Sequence, residues 1–537
     1  MSQLASPPGL HVYDTTLRDG AQQEGLNLSV ADKLAIARQL DELGVGFIEG
    51  GWPGANPKDT EFFARAQREL SLRNATLAAF GATRRAGSTA AADPLVRALV
   101  DSGAPVVTLV AKSHVRHVEQ ALRTTLPENL AMIRDTVSFL RGEGRRVFLD
   151  AEHFFDGYRA DRDYALECVR VAAEAGAEVV ALCDTNGGML PSEVADVVRD
   201  VLDSTAARLG IHCHNDTGCA VANSMAAVDA GARHVQGTVN GYGERTGNAD
   251  LVTVVANLQL KKGLEVIDGH RLAEATRISH AISEVTNVPP YSRQPYTGAS
   301  AFAHKAGLHA SAIKVDPDLY QHLDPKGVGN DMRMLVSDMA GRASIELKAR
   351  ELGFDLDASD ADDSALMQRV LSSVKEKELR GYTFDAADAS FELLLRHELD
   401  GSLPEFFTVE SWRVITDARG ETDALSEATV KIVAGDRRHV RTGEGNGPVN
   451  ALDQALRSAL AKAYPEIEHL ELVDYKVRIL DAAHGTDAVT RVLIETTDGT
   501  TTWTTIGVAA NILEASWQAL IESVTYGLIR AGVPPLT

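Results

Sequence analysis

The sequence predicts an α/β protein: a (β/α)8 TIM barrel first, a helical linker region next, and an α+β domain at the C-terminal end. Three observations lead there. From residue 10 to about 260, short apolar runs alternate with Ala-, Leu-, Arg- and Glu-rich helical stretches, and eight such units fit into about 250 residues. Side chains able to do chemistry gather at the C-terminal ends of those runs, where such a barrel builds its site. From about residue 390 the texture turns to β-branched strands, and one stretch occurs twice.

The units run in order. The first strand, LHVYDTTLRD (10–19), ends in Asp14, Arg18 and Asp19. The stretch SVADKLAIARQLDELG (29–44) has apolar residues at helical spacing and Gly44 at its C-terminal cap. The second strand, GFIEGGWPG (46–54), carries Glu49, and TLAAFGATR (76–84) and VVTLVAKS (106–113) follow. The fifth, RVFLDAEHF (146–154), ends in Glu152 and His153, and the sixth, VVALCDTNGG (179–188), in Asp184, Thr185 and Asn186. The seventh is LGIHCHND (209–216). Side chains at i and i+2 share one side of a strand, so His212 and His214 face one way and Cys213 the other. The eighth, HVQGTVNGYGE (234–244), runs into Asn240, Glu244, Arg245 and Asn248. A doubly wound open sheet is the alternative, but no GxGxxG follows the first strand.

The barrel is expected over 1–275, helical linker subdomains over 276–390, and the regulatory domain over 391–537. The linker holds FAHKAGLHASAIK (302–314), the turn LYQHLDPKGVGN (319–330) and the acidic stretch FDLDASDADD (354–363), read as a surface loop. In the last region SWRVITDARGETDALSEATVKIV (411–433) aligns with DYKVRILDAAHGTDAVTRVLIET (474–496). Each copy leads through a Gly turn into a helix, over 445–464 and 509–529. Two strands-then-helix copies imply a pseudo-twofold module for binding or regulation, since neither holds a catalytic constellation.

A chain of 537 residues, 44% hydrophobic and 24% charged, is a globular protein of several domains. The formal net charge of −22 argues against nucleic acid or an anionic membrane as partner. An anionic substrate would then need a metal or a placed arginine. The opening MSQLASPPGL has no basic segment leading into an apolar one, and no apolar run approaches the ~20 residues of a membrane span. Cys168, Cys183, Cys213 and Cys219 form no CxxC and read as reduced thiols in a cytoplasmic protein.

Asp19, His212 and His214 offer one carboxylate and two imidazoles, a set that suits Mg, Mn, Zn or Co with open positions. A 2-oxo acid could chelate such an ion through its carbonyl and one carboxylate oxygen. Arg18 could stabilise an alkoxide developing on that carbonyl, Glu49 could hold Arg18, and Thr185 could bond the substrate carboxylate. A plain ion pair and a helix cap are the bland alternatives for Arg18–Glu49 and for Thr185.

DTTLRDGAQ (14–22), Glu49, HCHND (212–216) and NGYGERTGNADL (240–251) together resemble the DRE-type metal-dependent barrels. That superfamily includes the 2-isopropylmalate, homocitrate and citramalate synthases and the 3-hydroxy-3-methylglutaryl-CoA lyases. The C-terminal region, with GEGNGPVNAL and the paired repeat, is similar to the regulatory domain of the isopropylmalate and citramalate synthases, which the lyases lack. IEGGWPGANPKDTEFF (48–63), ALRTTLPENLAMI (121–133), AEHFFDGY (151–158) and GTDAVTRVLIET (485–496) look most like the citramalate synthases. KSHVRHV (112–118) departs from the pattern, where an aromatic residue is expected near 114.

The resemblance implies a transferase that condenses acetyl-CoA with pyruvate and hydrolyses the thioester, opening a pyruvate route to isoleucine. It implies Asp19, His212, His214 and Asn248 around a divalent Mn, Mg or Zn ion, and Arg18 and Thr185 on the keto acid. It implies Glu152 in acid–base work, with His309 and Tyr320 reaching the site from the linker of a partner subunit. It further implies a homodimer with isoleucine as feedback inhibitor. The rivals are a sister synthase acting on another 2-oxo acid, a lyase or aldolase on the same site, and a non-catalytic amino-acid sensor.

Overall fold

Eight parallel strands close into a barrel in strict sequence order, the last pairing with the first. The structure is a computed structural model and describes residues 9–417, 424–480 and 488–536. The strands are β1 (His11–Asp14), β2 (Phe47–Glu49), β3 (Thr76–Ala82), β4 (Val106–Lys112), β5 (Arg146–Glu152), β6 (Val179–Asp184), β7 (Leu209–Cys213) and β8 (His234–Gly237). The open-sheet alternative is thereby set aside. The opening stretch read for a leader lies largely outside the described residues.

Several strands stop sooner than the apolar runs suggest. β1 ends at Asp14 because the amides of Arg18, Asp19 and Gly20 all turn back onto the Thr15 carbonyl. That turn lifts Arg18 and Asp19 over the barrel mouth. The helix Val30–Leu43 follows the sequence reading closely. Ser29 and Asp32 form a capping box at its start, and Gly44, at φ +91°, ends it. At the N-terminal end of the barrel, Tyr13, Phe47, Phe148 and His234 fill the interior with ring contacts.

The described chain divides into two compact units. One runs to Phe302 and takes in Asp324–Asp331, and the other holds Ala303–Leu323 and the chain from Met332 onward. The helix Ala275–Thr286 belongs to the first, where Arg277 bonds Gln39 and Glu42 of the helix Val30–Leu43. A division at 275/276 therefore separates a helix from the barrel it packs on.

In the second unit β9 (Ala303–His304) pairs with β10 (Arg333–Met334). Helices Arg342–Glu351, Ala361–Leu379 and Asp388–Asp400 share a core around Ile345, Met367, Val370 and Phe391. The acidic stretch is only partly loop. Asp360 accepts from the amides of Asp362 and Asp363, so its last three residues open a helix. Asp388–Asp400 packs Phe391 and Leu395 into that core and Ala389 and Leu393 against Leu470, Trp503 and Tyr526. A division at 390/391 cuts through this shared helix.

The C-terminal region holds two antiparallel sheets of three strands, each followed by a helix. The first is β11 (Thr408–Asp417), β12 (Leu425–Ala434) and β13 (Arg437–Gly445), then Pro448–Leu460. The second is β14 (Glu471–Ile479), β15 (Thr490–Thr497) and β16 (Thr502–Ala509), then Ile512–Arg530. Alternate residues of the central strands, Val430, Ile432, Val492 and Ile494, meet Leu456, Leu460, Leu520 and Val524 in one core. The repeated sequence is thus β11–β12 and β14–β15, and parts of both connections (418–423, 481–487) lie outside the described residues. Among the described residues no helix is long and apolar enough to cross a membrane.

Candidate active site

The C-terminal ends of β1, β2, β7 and β8 bring together residues separated by up to about 230 positions in sequence. Asp19 stands at the centre. Its Oδ2 lies 3.3 Å from His212 Nε2 and 4.0 Å from His214 Nε2. One ligand atom from each of the three residues falls within 4.8 Å of the other two, and all three residues are buried. His212 is inside β7 and His214 just beyond its end, where it bridges Asn248. Asn248 Nδ2 donates to Asp19 Oδ1 at 3.2 Å and to the Tyr242 carbonyl at 2.9 Å. The loop before Asn248 depends on two glycines. Gly247, at φ +86°, has no room for a side chain beside the Gly241 carbonyl, and Gly243, at φ +148°, has none beside the Asn248 amide.

Arg18 is held on several sides. Nε donates to Glu49 Oε2 at 2.5 Å, Nη1 donates to Asp19 Oδ2 at 3.0 Å, and the guanidinium carbon sits 3.9 Å from the centre of the Phe80 ring. Glu49 also accepts from the Tyr13 hydroxyl at 2.8 Å. Burial alone would raise the Asp19 carboxyl, but Arg18, His212 and His214 outweigh it and hold Asp19 far below the usual range. Burial lowers His214 to about 4, and the neighbouring His212 adds to that. Burial opposes charge on His212 too, yet its bond to Asp19 wins and the net shift is upward.

The donor set fits a divalent ion. Two imidazole nitrogens and a carboxylate oxygen converge, and two buried atoms beside them, His214 Nδ1 and Asn248 Oδ1, have no hydrogen-bond partner among the described residues.

The other sequence candidates are spread more widely. Glu152 ends β5 and is paired with Lys112, which ends β4 directly opposite in the register. Thr185 Oγ1 accepts at 2.8 Å from the amide of His153, the residue that opens the helix Phe154–Ala160, and its own hydroxyl hydrogen remains to be donated. In place of an aromatic at 114, three imidazoles cluster: His114 is 5.1 Å from His117, and His117 is 4.1 Å from His153. His309, on the helix Gly307–Val315, stacks on Tyr320 at 4.1 Å within the second unit.

Three residues escaped the sequence reading: Lys112, Asp150 and Gln236. Lys112 had a signal, since opposite charges end two neighbouring strands. Asp150 and Gln236 had none, because each reads as one polar residue within a strand. Burial, then the Glu49 charge, pushes the Asp150 carboxyl up to about 7.

Residues 10–280 match the model of the HMGL-like family, 296–377 that of the homocitrate synthase post-HMGL domain-like family, and 385–528 that of the LeuA allosteric (dimerisation) domain. The (R)-citramalate synthase of Streptomyces coelicolor is 67% identical over 525 residues, covering 98% of each chain. This chain belongs to the (R)-citramalate synthase family. The (R)-citramalate synthase of Synechocystis sp. is 49% identical over 531 residues, covering 97% of this chain and 96% of that one. That of Sulfolobus acidocaldarius is 44% identical over 520 residues, covering 97% of each. The citramalate synthase fold thus accounts for all three parts of the chain: the barrel with its Asp19–His212–His214 cluster, the linker, and an allosteric dimerisation domain built from the repeat.

Proposed function

We propose that this protein condenses acetyl-CoA with pyruvate to give (R)-citramalate and CoA, the first committed step of a pyruvate route to isoleucine. The observation that carries the reading is the buried Asp19–His212–His214 cluster with Arg18 beside it. When bound there by Asp19, His212 and His214, with Asn248 alongside, an Mn, Mg or Zn ion would supply Lewis acidity to the keto carbonyl.

The chain's own groups do the rest. Neither hydrogen of Arg18 Nη2 has a partner among the described residues, so Nη2 is free to donate to the carbonyl oxygen as it gains charge. Thr185 donates its hydroxyl hydrogen to the pyruvate carboxylate. A base takes one proton from the acetyl methyl group, and the released electron pair forms the carbon–carbon bond to C2 of pyruvate. The carbonyl π pair becomes an alkoxide and picks up a proton. Water then adds to the thioester, the C–S bond breaks, and CoA leaves as its thiol. Glu152, kept in place by Lys112, serves in the proton transfers. His309 and Tyr320, supplied by the linker of a partner protomer, act with it on the methyl proton or the water.

Isoleucine as feedback inhibitor is supported by a cavity of about 980 Å³ in the C-terminal domain. The helix Pro448–Leu460 begins there without a side-chain cap, leaving its first amides open to a carboxylate. Asp453 is held through Oδ2 by Arg457 Nε at 2.8 Å, while its buried Oδ1 has no partner among the described residues and would take the ammonium group, and Leu472, Tyr475 and Ile512 suit the side chain. A homodimer and a cytoplasmic setting complete the reading, the latter supported by four free cysteines.

The deciding experiment is CoA release with Mn present, comparing pyruvate, 2-oxoisovalerate and 2-oxoglutarate. Pyruvate well ahead supports the assignment. Another oxo acid ahead moves the protein to a sister synthase, because one methylene in a pocket is worth only about 1–3 kcal/mol.

A further inference from the structure

Beneath the metal position runs a chain of buried hydrogen bonds that no step of the mechanism uses. β8 contributes Gln236 and His234, and β5 contributes Asp150. Gln236 Oε1 lies 2.9 Å from His212 Nδ1. Gln236 Nε2 lies 2.7 Å from Asp150 Oδ1 and 3.3 Å from His234 Nε2. All four side chains belong to buried residues, so water does not compete for these bonds.

The partners settle which end of the amide faces which way. The Gln236 nitrogen donates to Asp150 Oδ1, the orientation an ionised Asp150 requires, since a carboxylate only accepts. Its second hydrogen then finds the His234 Nε2 lone pair. An amide nitrogen only donates, so His234 Nε2 is the acceptor in that contact, and burial favours the neutral ring this needs. The oxygen end is left for His212. An amide oxygen also only accepts, so His212 Nδ1 carries a hydrogen. That leaves Nε2, the nitrogen facing Asp19, as the atom for coordination. His214 contrasts with it, since its buried Nδ1 has no partner among the described residues.

We propose that Gln236, oriented by Asp150 and His234, is a positioning residue that sets the tautomer of His212 and thereby the nitrogen it offers to the ion. The inference rests on the metal reading given above. Support of this kind for a metal-binding histidine is worth about 10–100-fold in affinity.

The test uses the full-length protein. Mn titrations followed by electron paramagnetic resonance would compare wild type, Gln236→Leu, Asp150→Asn and the double variant Asp150→Asn/Gln236→Glu. Each single variant should bind Mn about 10–100-fold more weakly. The double variant should recover most of the loss, because position 236 then accepts from Nδ1 and position 150 donates to it. In metal-free protein at pH 9, 15N-histidine spectra, with the His212 signal assigned by a His212→Asn variant, should place the hydrogen on Nδ1 in wild type and in the double variant. In Asp150→Asn it should move toward Nε2. Single variants that bind Mn like wild type would overturn the proposal. So would a double variant as weak as the singles with a lowered melting temperature, which would mean that the network only packs the barrel. Wild type that takes up no Mn would sink the metal reading instead, and the spectra would still decide the tautomer.

Discussion

Arg18 and Glu49 meet at 2.5 Å with the Glu49 side chain wholly shielded from water. An ion pair this deep is costly to break from one side, by up to about 3–5 kcal/mol, and Arg18 would keep only Asp19 as a carboxylate partner. Glu49→Gln is therefore expected to lower the melting temperature and, by freeing Arg18, to cut kcat by about 10²-fold. Thermal melts and steady-state assays read both. A Gln variant with unchanged kcat would mean that Arg18 needs no support.

Activity should vanish on dialysis against a chelator and return with Mn. Asp19→Asn and His214→Ala should remain at background after Mn is added, with a retained fold by circular dichroism. Full activity in either variant would remove Asp19 or His214 from the metal site.

Glu522 links stability to pH. It lies on the helix Ile512–Arg530, where burial pushes its carboxyl up to about 7 although Ser390 donates to it and Lys377 lies nearby. An unfolded glutamate titrates near about 4.3. The folded chain thus holds this proton to higher pH than the unfolded chain does. The resulting stability is full below about pH 4.3, is lost as pH rises to about 7, and is flat above that. Glu522→Gln cannot ionise. It should stabilise the protein at pH 8 by an amount on the order of 3 kcal/mol, with almost no gain at pH 4.5. Denaturant titrations at the two pH values decide it, and an equal gain at both would refute the linkage.

Inhibition by isoleucine should depend on Asp453. Asp453→Asn removes the charge facing the ammonium group and should raise the inhibitory concentration by about 10-fold or more, leaving uninhibited kcat unchanged. A point substitution is the better probe than truncation near residue 390, because the helix Asp388–Asp400 packs on both sides of that cut. Unaltered inhibition would place the effector elsewhere.

Much of the candidate site is legible in the sequence. The i, i+2 spacing of His212 and His214 placed both on one side of a strand, and the strand ends named Arg18, Asp19 and Glu49. Which of these touch could not be read. Arg18 meets Glu49 and Phe80 because β1, β2 and β3 are neighbours in a closed ring, and the Thr15 turn swings Arg18 across them. Lys112 meets Glu152 only through the β4–β5 register, which the sequence does not state.

Local periodicity is written along the chain, so the amino-acid order alone yielded the alternation of strand and helix, the repeat of the C-terminal domain, and the donor types at the barrel mouth. These depend on residues a few positions apart. The hydrogen bonds that join Gln236 with His212 and with Asp150 span 24 and 86 positions. Their geometry exists only after the barrel closes, because closure turns side chains from β5, β7 and β8 inward toward one another. Burial there removes water as a competing partner and leaves each donor one acceptor to find. Folding thus turned residues that looked ordinary in sequence into the support beneath the proposed metal site.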